Sequence, residues 1–217
     1  TGYDINDSAT APVPKPHLSS GYLQEAPAEP RFAFVSAPYD ERLEQDTRAG
    51  FAQLQKTLKA NAEPIVLPDG YGNMIDHHRV IHDIEIRQLL SADLVAHPQL
   101  LSAQITGALQ RAAEHSQEDY AQAIDAIDAV DTFFSELFNE FDAIIVPSAA
   151  GEAPATLEQT GDPIFCTLWT LAGLPALTMP LLKGSTHLPI GVQLIAGADQ
   201  DARLMRTARW LCNLLDG

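Results

Sequence analysis

Fifteen prolines divide this 217-residue chain, and the pieces between them alternate in character. Proline fixes φ and lacks an N–H, so it ends ladders and helices and marks element boundaries. Phe32-Ala33-Phe34-Val35-Ser36 stops before Pro38. Pro64-Ile65-Val66-Leu67 is closed by Pro68-Asp69-Gly70, and Ile144-Ile145-Val146 stops at Pro147. Apolar runs of this length predict buried strands. Elsewhere the apolar spacing is helical. Asp46 is placed to cap a helix bearing Ala49, Phe51, Leu54 and Leu58, and Asn61 suits its left-handed stop. Residues 74–110 carry Ile75, Val80, Ile81, Ile84, Leu89 and Leu90 on a helical pattern broken at Pro98. Ser116 and Asp119 form an acidic capping box ahead of Tyr120, Ile124, Ile127, Phe134, Leu137, Phe138 and Phe141.

Strand, helix, strand over residues 31–67 is a βαβ unit and predicts a parallel pair. Residues 163–171 predict a short helix. Residues 174–182 and 188–195 predict two antiparallel strands joined through Lys183-Gly184-Ser185-Thr186-His187. Asp199 or Asp201 starts a last helix carrying Leu204, Ala208, Leu211 and Leu215. The expected class is α/β, a mixed twisted sheet flanked by helices. Pro12, Pro14, Pro16, Pro27 and Pro30 mark residues 1–30 as an extended strap or linker, so the packed domain, residues 31–217, is expected to begin at Arg31. Within it the βαβ unit, a helical stretch over 74–141 and a strand, hairpin and helix over 143–215 follow one another.

Charge narrows the partners. The net charge is −16, and residues 112–182 hold twelve acids with no Lys or Arg. Nucleic acid and anionic membrane surfaces both require clustered cations, so neither is an expected partner. At 46% hydrophobic and 19% charged the chain is expected to fold, and its longest apolar run is too short and too interrupted to span a bilayer. Cys166 and Cys212 match no zinc or redox spacing, which favours a reduced, cytoplasmic setting.

Local motifs for chemistry are few. His78 and His82 are one helical turn apart, a spacing that can share a metal, but no His-Glu-x-x-His motif or third ligand accompanies them, and no metal is expected. There is no Gly-x-Ser-x-Gly elbow. Ser148 follows a buried strand at the edge where α/β folds place their sites. Lys15, Lys56, Lys59 and Lys183 avoid the apolar runs where burial would lower a lysine pKa. Asp125, Asp128 and Asp131 read as a solvated helix face.

The run Phe141-Asp142-Ala143-Ile144-Ile145-Val146-Pro147-Ser148 resembles a segment of the amidase signature family. Ala153-Pro154, Thr160-Gly161-Asp162-Pro163-Ile164-Phe165-Cys166-Thr167-Leu168-Trp169-Thr170, Gly173-Leu174-Pro175-Ala176, Leu188-Pro189-Ile190-Gly191-Val192-Gln193 and Asp201-Ala202-Arg203-Leu204 follow in the family's order. Upstream, residues 31–67 resemble the family's strand-helix-strand insertion, and Gly2-Tyr3-Asp4 with Asp7 and Thr10 resembles the tail of its catalytic core.

The resemblance implies the C-terminal part of an α/β/α sandwich that hydrolyses the carbon–nitrogen bond of a small-molecule amide without a cofactor. Members use a Lys, a Ser in a cis peptide and a nucleophilic Ser, all preceding the region matched here. No catalytic residue is therefore carried over, and the chain is expected to be inactive without an N-terminal half. By the same resemblance Ser148, Thr160, Gly161, Asp162, Phe165 and Trp169 would contact substrate. The plainer reading of Gly161-Asp162-Pro163 is a turn, and of Phe165 and Trp169 core. Apolar surface left by a missing half would favour self-association. Two other readings stay open: a binding module derived from an amidase, and a hydrolase built on Ser148 with a histidine.

Overall fold

The structure, a computed structural model, describes residues 3–7, 10–14, 17–158 and 160–216. Along the chain run α1 (Leu18–Leu23), β1 (Phe32–Ser36), α2 (Gln45–Leu58), β2 (Ala62–Val66), α3 (Met74–Ala96) and α4 (Ala103–Ala112). They are followed by α5 (Gln117–Glu140), β3 (Ala143–Pro147), α6 (Ile164–Leu171), β4 (Ala176–Lys183), β5 (Pro189–Ile195) and α7 (Asp201–Asp216). The strands form one mixed sheet in the order β2-β1-β3-β5-β4. β1 pairs in parallel with β2 and β3, whereas β5 runs antiparallel to both β3 and β4. The expected βαβ unit and terminal hairpin are both present.

Period-two alternation sends the β3 side chains to opposite layers. Ile144 and Val146 pack with Phe134, Phe138 and Trp169 on the α5–α6 side. Ala143 and Ile145 pack with Phe51, Leu54, Leu204 and Leu211 on the α2–α7 side. A strand covered on both faces has no polar alternation, which is why Ile144-Ile145-Val146 reads as a continuous apolar run. Each isoleucine buried there contributes about 1.5–3 kcal/mol before conformational entropy is counted.

Both edge strands carry a proline, Pro64 in β2 and Pro180 in β4, and β4 has a register shift between Met179 and Leu182. Missing N–H donors and an irregular edge oppose strand addition from other chains. Asp142 Oδ1 accepts from Arg203 Nε and Nη2 at 3.0 and 2.8 Å, and its Oδ2 accepts the Arg31 N–H at 2.9 Å. One carboxylate thus ties together the starts of β1, β3 and α7.

Several local expectations change. Asp46 lies within the first turn of α2 and does not cap it; Glu44 occupies the N-cap without a side-chain bond. The Asp46 carboxylate instead accepts the Ser185 N–H at 2.6 Å, and hydrogen bonds from the Ser185 side chain and backbone hold its pKa below the usual range. Lys59, with φ 49°, makes the stop assigned to Asn61, whose side chain donates to the Pro30 carbonyl at 3.2 Å. Pro147 belongs to β3 as its last residue, paired with Val192.

The strap contains a helix, because residues 17–26 lack proline and leave room for the short α1. It docks on α7. Gly21 lies against Ala202, and Arg209 donates to the Tyr22 and Leu23 carbonyls at 3.2 and 2.8 Å. Further upstream, Thr10 Oγ1 accepts the Asp4 N–H and donates to a carbonyl within the same turn, each at 3.0 Å. Gly2, Lys15 and Pro16 lie outside the described residues. Among the described residues no helix is long and apolar enough to cross a membrane.

Candidate functional site

The chain leaves β1 toward α2 on one face and enters β3 from α5 on the other. This reversal opens a crevice beyond the carboxyl ends of the two parallel strands, where open α/β sheets bind ligands. A groove of about 850 Å³ lies there, with Ser148, the first residue past β3, in its wall. The Ser148 N–H donates to the Gly191 carbonyl at 3.1 Å. Its half-buried hydroxyl occupies the space that a side chain on residue 191 would take. The glycine of the Leu-Pro-Ile-Gly run is therefore a clearance, not a flexible joint. Gly191→Ala is expected to expel that hydroxyl or push β4 aside at Thr178, at a cost of about 1–3 kcal/mol in chemical denaturation.

Glu152 closes one end of the groove. Its carboxylate accepts the Leu188 N–H at 2.8 Å and both the N–H and hydroxyl of Thr186, fastening the loop after β3 to the β4–β5 turn. Glu44 fastens the other side, donating its N–H to the Ala150 carbonyl at 2.8 Å, with its carboxylate against Gly151. Gly161 has φ +91° and turns the chain into α6. Asp162 then accepts the Ile164 N–H through Oδ1 at 3.0 Å and Arg42 Nη1 through Oδ2 at 2.7 Å. Thr160 is exposed in the same wall.

Ser148, Thr160, Gly161 and Asp162 are thus brought together. Phe165 and Trp169 are not. Phe165 is buried edge-on against Tyr39, with ring centroids 5.2 Å apart. Trp169 is 1% exposed, packs on Phe134 at 5.4 Å and donates its indole N–H to the Phe165 carbonyl at 3.0 Å. Four residues apart, the two rings share the inward stripe of α6, while the residues leading into that helix meet the groove. Cys166 lies below them, with Sγ 3.5 Å from the Ser148 carbonyl oxygen, and burial pushes its thiol pKa up. Glu44, Glu152, Thr178 and Gly191 escape a reading of the sequence because their roles depend on contacts distant along the chain. Signals existed for Gly191, which stands in the Leu-Pro-Ile-Gly run, and for the partner of Asp162, since residues 112–182 contain no cation to pair with it.

The described residues lining the groove include hydroxyls, carboxylates and apolar side chains, but no histidine or lysine. Among the described residues the groove lining thus offers Ser148 no imidazole or amine to activate it as a nucleophile. His78 and His82 stack outside the groove with centroids 5.9 Å apart, and among the described residues no group of three or more His, Cys, Asp or Glu is arranged to hold a metal.

The family description Amidase matches residues 1–205. The chain belongs to the amidase family. As an amidase-family chain, it is 33% identical over 100 residues to a glutamyl-tRNA(Gln) amidotransferase polypeptide of Deinococcus deserti, covering 41% of this chain and 20% of that protein. It is 31% identical over 126 residues to the corresponding amidotransferase polypeptide of Solidesulfovibrio magneticus, covering 54% and 26%. A solved amidase superposes with TM-score 0.76 at 22% identity over 88% of this chain and 47% of the other. A solved vestigial protein complex, described as revealing the evolutionary origins of an s-triazine catabolic enzyme, gives 0.78 at 22% identity over 98% and 49%. The chain thus matches about a fifth to a quarter of the length of these curated relatives and about half of these solved structures.

Proposed function

We propose that these residues form the substrate-wall portion of an amide hydrolase whose Lys and two Ser come from polypeptide outside residues 1–217. The carrying observation is the contrast within the groove. Family segments from three places in the chain converge on it, yet among the described residues its lining contains no lysine or histidine to activate a serine. Ser148, Thr160 and Asp162 line the substrate side, and the hydroxyls and apolar loop suit a small uncharged amide. Exposed Val66, Leu89, Val95 and Leu100 offer apolar surface for the complementary half. The free thiol of Cys166 fits a reducing cytoplasm.

The test combines this chain with a polypeptide carrying the Lys and Gly/Ser-rich amidase segments, then adds an activity-based fluorophosphonate. Labelling is expected on a serine of the added polypeptide, accompanied by amide hydrolysis, and Ser148→Ala should leave the labelling intact. Labelling of Ser148 in the 217-residue chain alone would overturn the proposal in favour of a self-sufficient hydrolase. A stable complex without hydrolysis would instead support a binding module.

A further inference from the structure

A second cavity of about 280 Å³ adjoins the groove and shares Asp162 with it. In a chain of net charge −16, three arginines converge on it: Arg42 from the segment after β1, Arg79 from α3 and Arg111 from α4. His78 and His82 line it beside them.

Each arginine has a carboxylate partner, but the pairs differ in closeness. Fully buried Asp83 accepts Arg111 Nε at 2.7 Å and Nη2 at 3.0 Å. Asp162 accepts Arg42 Nη1 at 2.7 Å. Arg79 comes no nearer than 3.8 Å to Asp76, with both side chains largely exposed. Three guanidinium groups and two carboxylates line the cavity, and the third partner, Asp76, lies outside the lining at 3.8 Å from Arg79. A guanidinium has five N–H donors, so Arg42 and Arg111 retain donors beyond these pairs. The first turn of α6 is not the attraction, because Asp162 already takes the Ile164 N–H.

We propose that this pocket binds a single oxoanion group, a carboxylate or a phosphate, through Arg79 and His78 with Arg42 and Arg111 behind them. This rests on the cavity's own side chains and is independent of the groove's function. His78 gives the site a pH dependence. Burial lowers its pKa first, then His82 and Arg79, while Asp83 opposes them. Arg111 faces the same cavity from α4, and Arg42 and Asp162 face it from the opposing loops. An anion seated there would reverse the local field and favour the imidazolium, adding a charge-assisted bond.

The test is calorimetric or NMR titration of the 217-residue chain with inorganic phosphate and, separately, acetate. At least one should bind with a dissociation constant of about 1 mM or lower, and acetate, which stays ionised over this range, should bind more tightly at pH 6 than at pH 8. Arg79→Gln should weaken binding at least about fivefold, the loss expected for a charge-assisted contact. His78→Gln should flatten the pH dependence. Both positions keep solvent contact, and melting curves would verify that each variant folds; either variant alone still decides. Tighter phosphate assigns the pocket to phosphoryl ligands, and tighter acetate assigns it to carboxylates. No binding of either anion, or binding unaltered by both substitutions, overturns the proposal.

Discussion

Trp169→Ala is expected to destabilise the fold by about 3–5 kcal/mol, a fall in melting temperature of roughly 10 °C. The indole fills the junction between α6 and the sheet, against Phe134 and Leu168, and truncation would leave a cavity that those rigid neighbours cannot close. Trp169→Phe separates packing from ligand contact. The indole N–H donates to Phe165 O, a carbonyl within α6, so its loss should cost about 1 kcal/mol. Unfolding curves should therefore show a large effect for alanine and a small one for phenylalanine, with groove ligands bound equally by wild type and Trp169→Phe. A loss of ligand affinity in the phenylalanine variant at unchanged stability would return Trp169 to the substrate wall.

The second large effect belongs to the pair joining α3 to α4. Arg111→Met leaves the Asp83 carboxylate buried without its main partner and is expected to cost about 3 kcal/mol at pH 7, near the low end for a broken buried pair. Arg111 is itself 48% exposed, so water can partly replace it. Burial alone would raise the Asp83 pKa, but the hydrogen bonds from Arg111 and His82 outweigh it and hold the pKa below its ordinary value. A depressed carboxylate pKa contributes stability above the unfolded value of about 4, and that contribution disappears as pH falls through the folded value. In Arg111→Met the same carboxyl should titrate upward, so the penalty should shrink on acidification. Asp83→Leu combined with Arg111→Met should recover most of the loss, because two packed apolar side chains replace a desolvated pair without a stranded charge. Urea melts of the three variants at pH 7 and pH 4 would check the sign at each step.

Legibility in the sequence follows the range of the interaction. The capping box of α5 closes as spacing predicts: Asp119 Oδ2 accepts the Ser116 N–H at 2.7 Å, and Ser116 Oγ accepts the Asp119 N–H at 3.1 Å. All of its atoms lie within one turn. β3 is equally legible because its two covered faces demand an unbroken apolar run. Asp46 was not, since Ser185 reaches it from the far hairpin and outcompetes a local cap. The site divides along the same line. The place of Ser148 after a buried strand could be read locally and Asp162 came only from the family resemblance, whereas Arg42 and Glu152 gain meaning only when separate loops meet. Phe165 and Trp169 matched family positions, and large aromatic rings on a short helix fit a buried core as well as a pocket wall. Glycine between prolines and short polar residues in the strap concealed α1, whose stability comes from docking on α7.

The close approach of Gly191 to Ser148 makes residues 148 and 191 interdependent. Any side chain introduced at 191 changes which residues are tolerated at 148, so Ser148→Gly should recover part of what Gly191→Ala loses. Two positions on different strand ends would then mutate as one unit, and the shape of the groove wall is inherited by pairs of substitutions, not by single ones.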